Sequence, residues 1–314
     1  MPTFHLLPDD NPIQNVDTLI RSFERFGYIS DHALGTAVYL VVKLGKPLLI
    51  EGHAGLGKTE VAKVLAVMLG TRLIRLQCYE GLDISAAVYE WNYQKQLLAI
   101  KIRERSEKSV EEKEKHVFSR EFLFERPLLQ SLLAEEAAPV LLIDEIDRAD
   151  EAFEAYLLEI LSDFQVTIPE IGVMAAPEPP IVVITSNRTR EIHDALKRRC
   201  LYHWLGYPDL AREMAIVGAK APRAPERLTA ELVAFVQRLR KQDLFKSPGV
   251  AETLDWAAAL TELDAVALDP AQVSDTLGVL LKYQDDIAKI EGAKAQTLIE
   301  ETRAELRRLE IGSE

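Results

Sequence analysis

The chain has 314 residues, 48% of them apolar, and a formal net charge of −13 from 50 acidic and 37 basic residues. That apolar share fills the core of one large or two modest domains, and the acid excess gives a polyanionic partner no overall attraction to work with. Two distant cysteines, Cys78 and Cys200, and six histidines with no H-x-x-x-H pair give no support to a disulfide framework or a zinc site, and no G-x-S-x-G serine elbow occurs.

No apolar run reaches membrane-spanning length, and Met1 to Asp10 carries acids and prolines in place of a basic and apolar leader. A cytoplasmic chain without stable membrane insertion is expected. Residues 1–16 read as loop. Helical patterns follow from Asp17 to Phe26 and from Asp31 to Leu44, the second stopped by Gly45 and Pro47.

Leu48 to Glu51 is an apolar run ending in a glycine-rich turn, Gly52-His53-Ala54-Gly55-Leu56-Gly57-Lys58-Thr59-Glu60. The turn opens a helix with Val61, Val64, Leu65 and Met68 on one face. The fit to G-x-x-x-x-G-K-[ST] is complete. Glycines let backbone N–H groups wrap phosphates, the helix N-terminus adds positive potential, Lys58 reaches the β- and γ-phosphates and the Thr59 hydroxyl ligates Mg²⁺. ATP with Mg²⁺ is the expected ligand. A second strand, Arg72 to Gln77, completes a βαβ unit with a parallel sheet.

Between Cys78 and Ala138 the pattern is less regular. Val88 to Tyr93 packs three aromatics into five positions, which either fill a local core or form a contact surface. Lys101 to Lys115 alternates six basic with five acidic residues, the pattern of a solvated helix face or a loop. Phe122 to Leu133 returns to helical spacing.

Val140 to Ile143 is a second apolar run, delivering Asp144 and Glu145 to the carboxyl edge where open α/β sheets bind ligands. Asp144 suits Mg²⁺, and Glu145 suits polarising an attacking water. Asp150 caps the next helix, and Gln165 to Val173 reads as a hairpin. Ile181 to Thr185 is a core strand, and Asn187 just beyond it reads as a turn residue on its own or, beside the other two motifs, as a polar group aimed at the γ-phosphate. Ala195 to Arg199 and a short strand from Cys200 follow. Beyond Pro208 only helical spacing remains, ending in a charged run from Asp285 to Leu309.

With these motifs in order (GHAGLGKT, LLIDEIDRAD, VVITSN, ALKRRC) the chain resembles the AAA+ ATPases, and within them the MoxR family. The stretch around Trp91 looks most like the CoxD branch, tied to maturing the metal centre of carbon monoxide dehydrogenase. The resemblance implies an α/β class with an AAA+ parallel-sheet core over residues 1–207, a helix-2 insert near 81–124, a hairpin near 164–174 and a smaller all-α lid over 208–314. It also implies a homo-oligomer, commonly a hexamer, in which Arg198 or Arg199, with Arg199 favoured, serves as a finger in the neighbour's site. The implied function is an ATP-hydrolysing, chaperone-like remodeller that matures a metalloenzyme client, alongside a von Willebrand factor A domain protein. The insert at Trp91 and Tyr93 would then meet the client, and nucleic acid would not be a partner. The alternative is a nucleic-acid motor or loader with the same ATPase core. One departure stands out. Where MoxR proteins commonly carry a sensor-2 arginine after Ser-Pro, this chain has Ser247-Pro248-Gly249, and glycine cannot contact a γ-phosphate.

Overall fold

The computed structural model describes residues 12–103, 109–134 and 137–311. The expectations for residues 1–11 and 104–108 lie outside them. The chain divides into two compact units. One holds the residues up to Ser22, Asp31–Glu51 and Thr59–Trp204; the other holds Phe23–Ser30, Gly52–Lys58 and the chain from Leu205 onward.

Helices α1 (Val16–Arg25) and α2 (His32–Leu44) precede strand β1 (Leu48–Gly52). Asp31 caps α2 by accepting from the Leu34 N–H at 2.7 Å, and Gly45 ends it at φ 64°, where a Cβ would be strained. Helix α3 (Lys58–Met68) leads to β2 (Leu73–Gln77). Next come α4 (Ile84–Ala87), β3 (Tyr89–Trp91), α5 (Tyr93–Arg103), α6 (Val110–Val117), β4 (Leu123–Glu125) and α7 (Pro127–Leu132). The helix expected over Phe122–Leu133 is instead a 3₁₀ turn, a strand and a short helix. Pro127 sets the break, because its fixed φ and missing N–H suit the first helical position.

Strands β3 and β4 pair antiparallel, with Trp91 opposite Leu123. Trp91 is 8% exposed and meets Phe118 and Tyr89 edge-on, with ring centroids 5.4 and 6.3 Å away. The core reading therefore holds for Trp91, and its expected place in a client surface is corrected: the ring is inside. Tyr93, 64% exposed, faces outward at the start of α5. Among the described side chains of α5 only Gln96 is buried, held by its amide donating to the Val117 carbonyl at 3.0 Å, while Leu97, Leu98, Ile100 and Ile102 are exposed.

The remaining elements of this unit are β5 (Val140–Asp144), α8 (Glu151–Asp163), the antiparallel hairpin β6 (Gln165–Ile168) and β7 (Gly172–Ala175), β8 (Ile181–Ser186), α9 (Asp194–Arg199) and β9 (Leu201–Leu205). The sheet order is β2-β5-β8-β1-β9, with β1 to β8, β8 to β5 and β5 to β2 all parallel. Every residue of β1, β5 and β8 is buried, which is why these strands are unbroken apolar runs where a half-exposed strand would alternate. Their carboxyl ends share one edge, and there the polar residues begin.

The other unit continues with α10 (Leu210–Lys220), α11 (Glu226–Leu239), α12 (Val250–Glu262), α13 (Pro270–Leu280), α14 (Gln284–Ile290) and α15 (Ala293–Ile311). The charged run read as one helix from Asp285 is two, broken at Gly292 with φ 69°. Its core centres on Trp256, whose ring tilts against Phe235 at 5.5 Å and whose indole N–H donates to Thr276 Oγ1 at 2.8 Å. The burial of the insert's aromatics gives a direct test. Trp91→Ala is expected to cost about 3–5 kcal/mol of stability and Tyr93→Ala no more than about 0.5, read as shifts in chemical denaturation midpoint.

Candidate active site

The carboxyl edge of the sheet gathers around Asp144. Its Oδ1 accepts from Thr59 Oγ1 at 3.0 Å and from Thr185 Oγ1 at 2.5 Å. Its Oδ2 accepts from Arg75 Nε at 3.0 Å and Nη2 at 2.5 Å. Asp144 thus reads three neighbouring elements at once: the start of α3, β2 and β8. The register makes this possible, since Gln77 on β2 stands opposite Asp144 and Ile184 on β8 stands opposite Ile143, which brings Thr185 level with Asp144. Arg75 and Gln77 have no motif to mark them in the sequence, and Thr185 stands inside VVITSN without a role of its own. Their signal is position, polar side chains near the carboxyl ends of strands adjoining β5.

Glu145, one residue on, adopts φ 56° and ψ 51°, a left-handed conformation that a non-glycine residue holds at a cost of roughly 1–3 kcal/mol. Its N–H donates to Thr185 Oγ1 at 3.0 Å, which fixes the turn. Its carboxylate accepts from Asn187 Nδ2 at 3.3 Å, from Gln77 Nε2 at 3.1 Å and from Arg148 Nη1 at 3.3 Å. Glu145 and Asn187, singled out separately in the sequence, therefore meet. Asp147, which the sequence did not single out, holds the segment after β8: it accepts from the Asn187 N–H at 3.2 Å and from both the N–H and the hydroxyl of Thr189 at 2.8 and 2.6 Å. Fully buried Glu154 accepts from Arg190 and from the His193 N–H at 2.8 Å.

The basic pair of α9 is split by its contacts. Arg199 donates to the Leu158 carbonyl and the Ser162 hydroxyl at the end of α8. Arg198 is exposed and has no hydrogen bond or ion pair among the described residues.

The phosphate loop, in the other unit, has Gly55 at φ 76° and Gly57 at φ 87°, both in the region that only glycine enters freely. Lys58 curls back so that its ammonium donates to the Gly52 carbonyl at 2.9 Å and the His53 carbonyl at 2.7 Å. Leu56 is buried, and His53 stacks on Tyr207 with centroids 5.3 Å apart. The Tyr28 ring lies 3.8 Å from where a Cβ on Gly57 would stand. Glu60, expected with the loop, pairs with Lys63 at 3.4 Å along α3.

This geometry coincides with a family match. Residues 47–200 match the model of the AAA domain of the dynein-related subfamily. No curated protein matches the sequence significantly. Similar solved structures include a point mutant of Thermotoga maritima RuvB, at 20% identity and TM-score 0.46 over 79% of this chain and 67% of that one. The Thermotoga maritima RuvB Holliday junction branch migration motor is also similar, at 18% identity and TM-score 0.38 over 84% and 78%.

Within residues 47–200 the donor set fits Mg²⁺. That ion takes hard oxygen ligands, typically one or two from protein and the rest from water and phosphate, and Thr59 Oγ1 with Asp144 Oδ1 supplies such a pair. Among the described residues no group of three or more His, Cys, Asp or Glu converges as a metal site. A cation here would draw its remaining ligands from elsewhere.

The acidic edge also acts on Cys78, whose N–H donates to the Asp144 carbonyl at 2.9 Å. Burial first, then the charges of Asp144, Asp147, Glu145 and Glu154, push its thiol up to about 12, and burial does the same for Cys200. Because both folded-state values stand above the ordinary 9.0, the protonated thiols favour folding fully below about pH 9, and that contribution is lost as pH rises towards 12. At pH 8 both thiols are expected to resist iodoacetamide in the native protein and to react once it is denatured. Modification of native Cys78 at the rate of a free thiol would contradict this burial.

Proposed function

We infer that this chain hydrolyses ATP with Mg²⁺ and uses the turnover to remodel a protein client. The observation that carries the ATPase reading is the Thr59, Asp144, Glu145 and Asn187 constellation, in which a hydroxyl and a carboxylate suited to a metal stand beside a second carboxylate tied to an amide. In this reading loop 52–58 wraps the phosphates and Lys58 leaves its carbonyl partners for them. Asp144 and Thr59 would hold Mg²⁺, which would neutralise charge on the phosphates. Glu145 orients and polarises the attacking water, and Asn187 fixes Glu145 and senses the γ-phosphate. Lys58→Ala is expected to weaken MgATP binding, and Glu145→Gln to keep binding while losing phosphate release. Equal hydrolysis by wild type and Glu145→Gln would remove the assignment.

A homo-oligomeric ring, commonly a hexamer, follows from the MoxR-like motif order, with residues 208–314 as its lid. The finger in this reading is Arg198, because Arg199 is engaged by its own α8. A trans-acting arginine contributes about 10³ to 10⁵ in rate. Arg198→Ala and Glu145→Gln subunits, each inactive alone, should regain activity when mixed and allowed to exchange; no recovery counts against a shared site.

The client reading, maturation of a metalloenzyme with a von Willebrand factor A domain partner, draws on the CoxD-like stretch and on α5. Tyr93, Leu97, Leu98, Ile100 and Ile102 expose apolar surface on one short helix, more than a solvated helix carries. The chain's net charge of −13 gives no phosphate-binding footprint. An apo-metalloenzyme subunit from the same host should raise the ATPase rate, and Leu97→Ser with Ile100→Ser should remove that stimulation. Single-stranded DNA that raises the rate several-fold at moderate salt would favour the nucleic-acid motor instead.

A further inference from the structure

The unit that contains the phosphate loop also contains a buried ion pair that the chemistry above does not use. Arg240 lies in the turn after α11, its side chain 7% exposed, and Glu213 on α10 is fully buried. The guanidinium fork donates to Glu213 Oε1 at 2.6 Å and Oε2 at 2.7 Å, and Gln237 and Thr253 donate to the same carboxylate at 2.6 and 2.9 Å. A buried pair of this kind adds little stability over an apolar replacement, so its presence points to the geometry it holds.

Two arms lead from Arg240 to the loop. Through the first, its guanidinium lies over the Tyr207 ring at 4.7 Å, and the other end of that contact is the stack of Tyr207 on His53 at 5.3 Å and 21°. Through the second, Arg240 Nε donates to the Pro248 carbonyl at 2.8 Å, fixing the turn that delivers Gly249. Gly249 lies against the loop backbone: a Cβ there would stand 2.8 Å from the Ala54 carbonyl oxygen and 3.1 Å from the Gly55 carbonyl carbon. Two residues on, the Ala251 N–H donates to the Gly55 carbonyl at 2.9 Å. Glu252 closes the arrangement by accepting from the Gly249 N–H at 2.9 Å. Position 249 thus has no room for a side chain, and the buried basic group of this region stands at 240, behind the loop.

A glycine-rich loop has many conformations to lose when it takes up a phosphate, and a loop already held in shape loses fewer. We propose that Arg240, clamped by Glu213, is a positioning residue for the phosphate loop. It acts through Tyr207 on His53 and through Pro248-Gly249 on Gly55, and it sets nucleotide affinity more than the rate of the chemical step. The proposal rests on reading residues 52–59 as the nucleotide's phosphate site.

The test measures MgADP affinity by calorimetry, and the KM and kcat for MgATP, on the full chain. Tyr207→Leu should weaken MgADP binding about tenfold, a size usual for coupling between linked sites, with the loss falling on KM more than kcat. Tyr207→Phe, which keeps the ring, should restore the affinity. His53→Ala should reproduce the loss, and the His53→Ala, Tyr207→Leu double variant should lose no more than either alone, as expected of two residues acting through one contact. Arg240→Lys should also bind weakly, because an ammonium cannot hold the carboxylate fork and the ring together. Leu277→Ala, a core truncation in α13, serves as the control: it should lower thermal stability and leave affinity unchanged. Wild-type affinity in Tyr207→Leu, additive losses in the double variant, or an equal loss in Leu277→Ala would each overturn the proposal. If the wild-type chain binds no MgADP, the phosphate-site reading itself fails. Binding by wild type with unaffected variants overturns the positioning role alone.

Discussion

A buried carboxylate must be satisfied, and Asp144 is satisfied only if three separate elements arrive in register. Thr59 comes from the first turn of α3, Arg75 from β2 and Thr185 from β8, and each donates to it within 3.0 Å. Leaving such a group unpartnered in the interior costs several kcal/mol, so the sheet order and the docking of α3 are coupled to this one side chain. The fully apolar strands make the coupling cheap to maintain, because nothing else on β5 asks for a hydrogen bond. The same constraint places the polar side chains around it. Once Asp144 is fixed, Glu145 follows in a strained left-handed turn and meets Gln77 on one side and Asn187 on the other, with Arg148 three residues on as a further donor.

The phosphate loop obeys a different constraint, close approach of backbones. Gly249 lies so close to the loop backbone that a Cβ on it would stand 2.8 Å from the Ala54 carbonyl oxygen, and the helix that opens after Gly249 bonds the loop through Ala251. That approach leaves position 249 no room for a side chain. Loop shape in this chain is held by packing and by a buried ion pair, whereas a side chain reaching a phosphate would need room that this contact removes.

The glycine pattern and the acids were legible in the sequence because each motif is local: eight consecutive residues make the loop, and one apolar run makes the strand that ends at Asp144. Asn187 was legible because asparagine is out of character at the end of such a run. Arg75 and Gln77 were not, since their meaning arises from the register of β2 against β5, and Thr185 and Asp147, though inside VVITSN and LLIDEIDRAD, show their roles only once Asp144 and the segment after β8 come to meet them. For Trp91 and Tyr93 the sequence left local core and contact surface both open, and the pairing of β3 with β4 separates them by turning the Trp91 ring inward against Phe118. Nor could sequence spacing tell Arg198 from Arg199, because the difference lies in the Leu158 carbonyl and Ser162 hydroxyl that engage one of them. The charged run after Asp285 shows the limit of periodicity, which carries on through a glycine that the backbone does not.

In the proposed function the carboxyl edge of the sheet is a site of metal-dependent phosphoryl chemistry. The most direct measurement is a single-turnover experiment with wild-type protein in excess over ATP, following ADP and phosphate with Mg²⁺ present and again with the cation chelated. Conversion of the bound ATP to ADP and phosphate only when Mg²⁺ is present is the predicted result. ATP that stays intact on the protein in the presence of Mg²⁺, or conversion that proceeds equally after chelation, would contradict it.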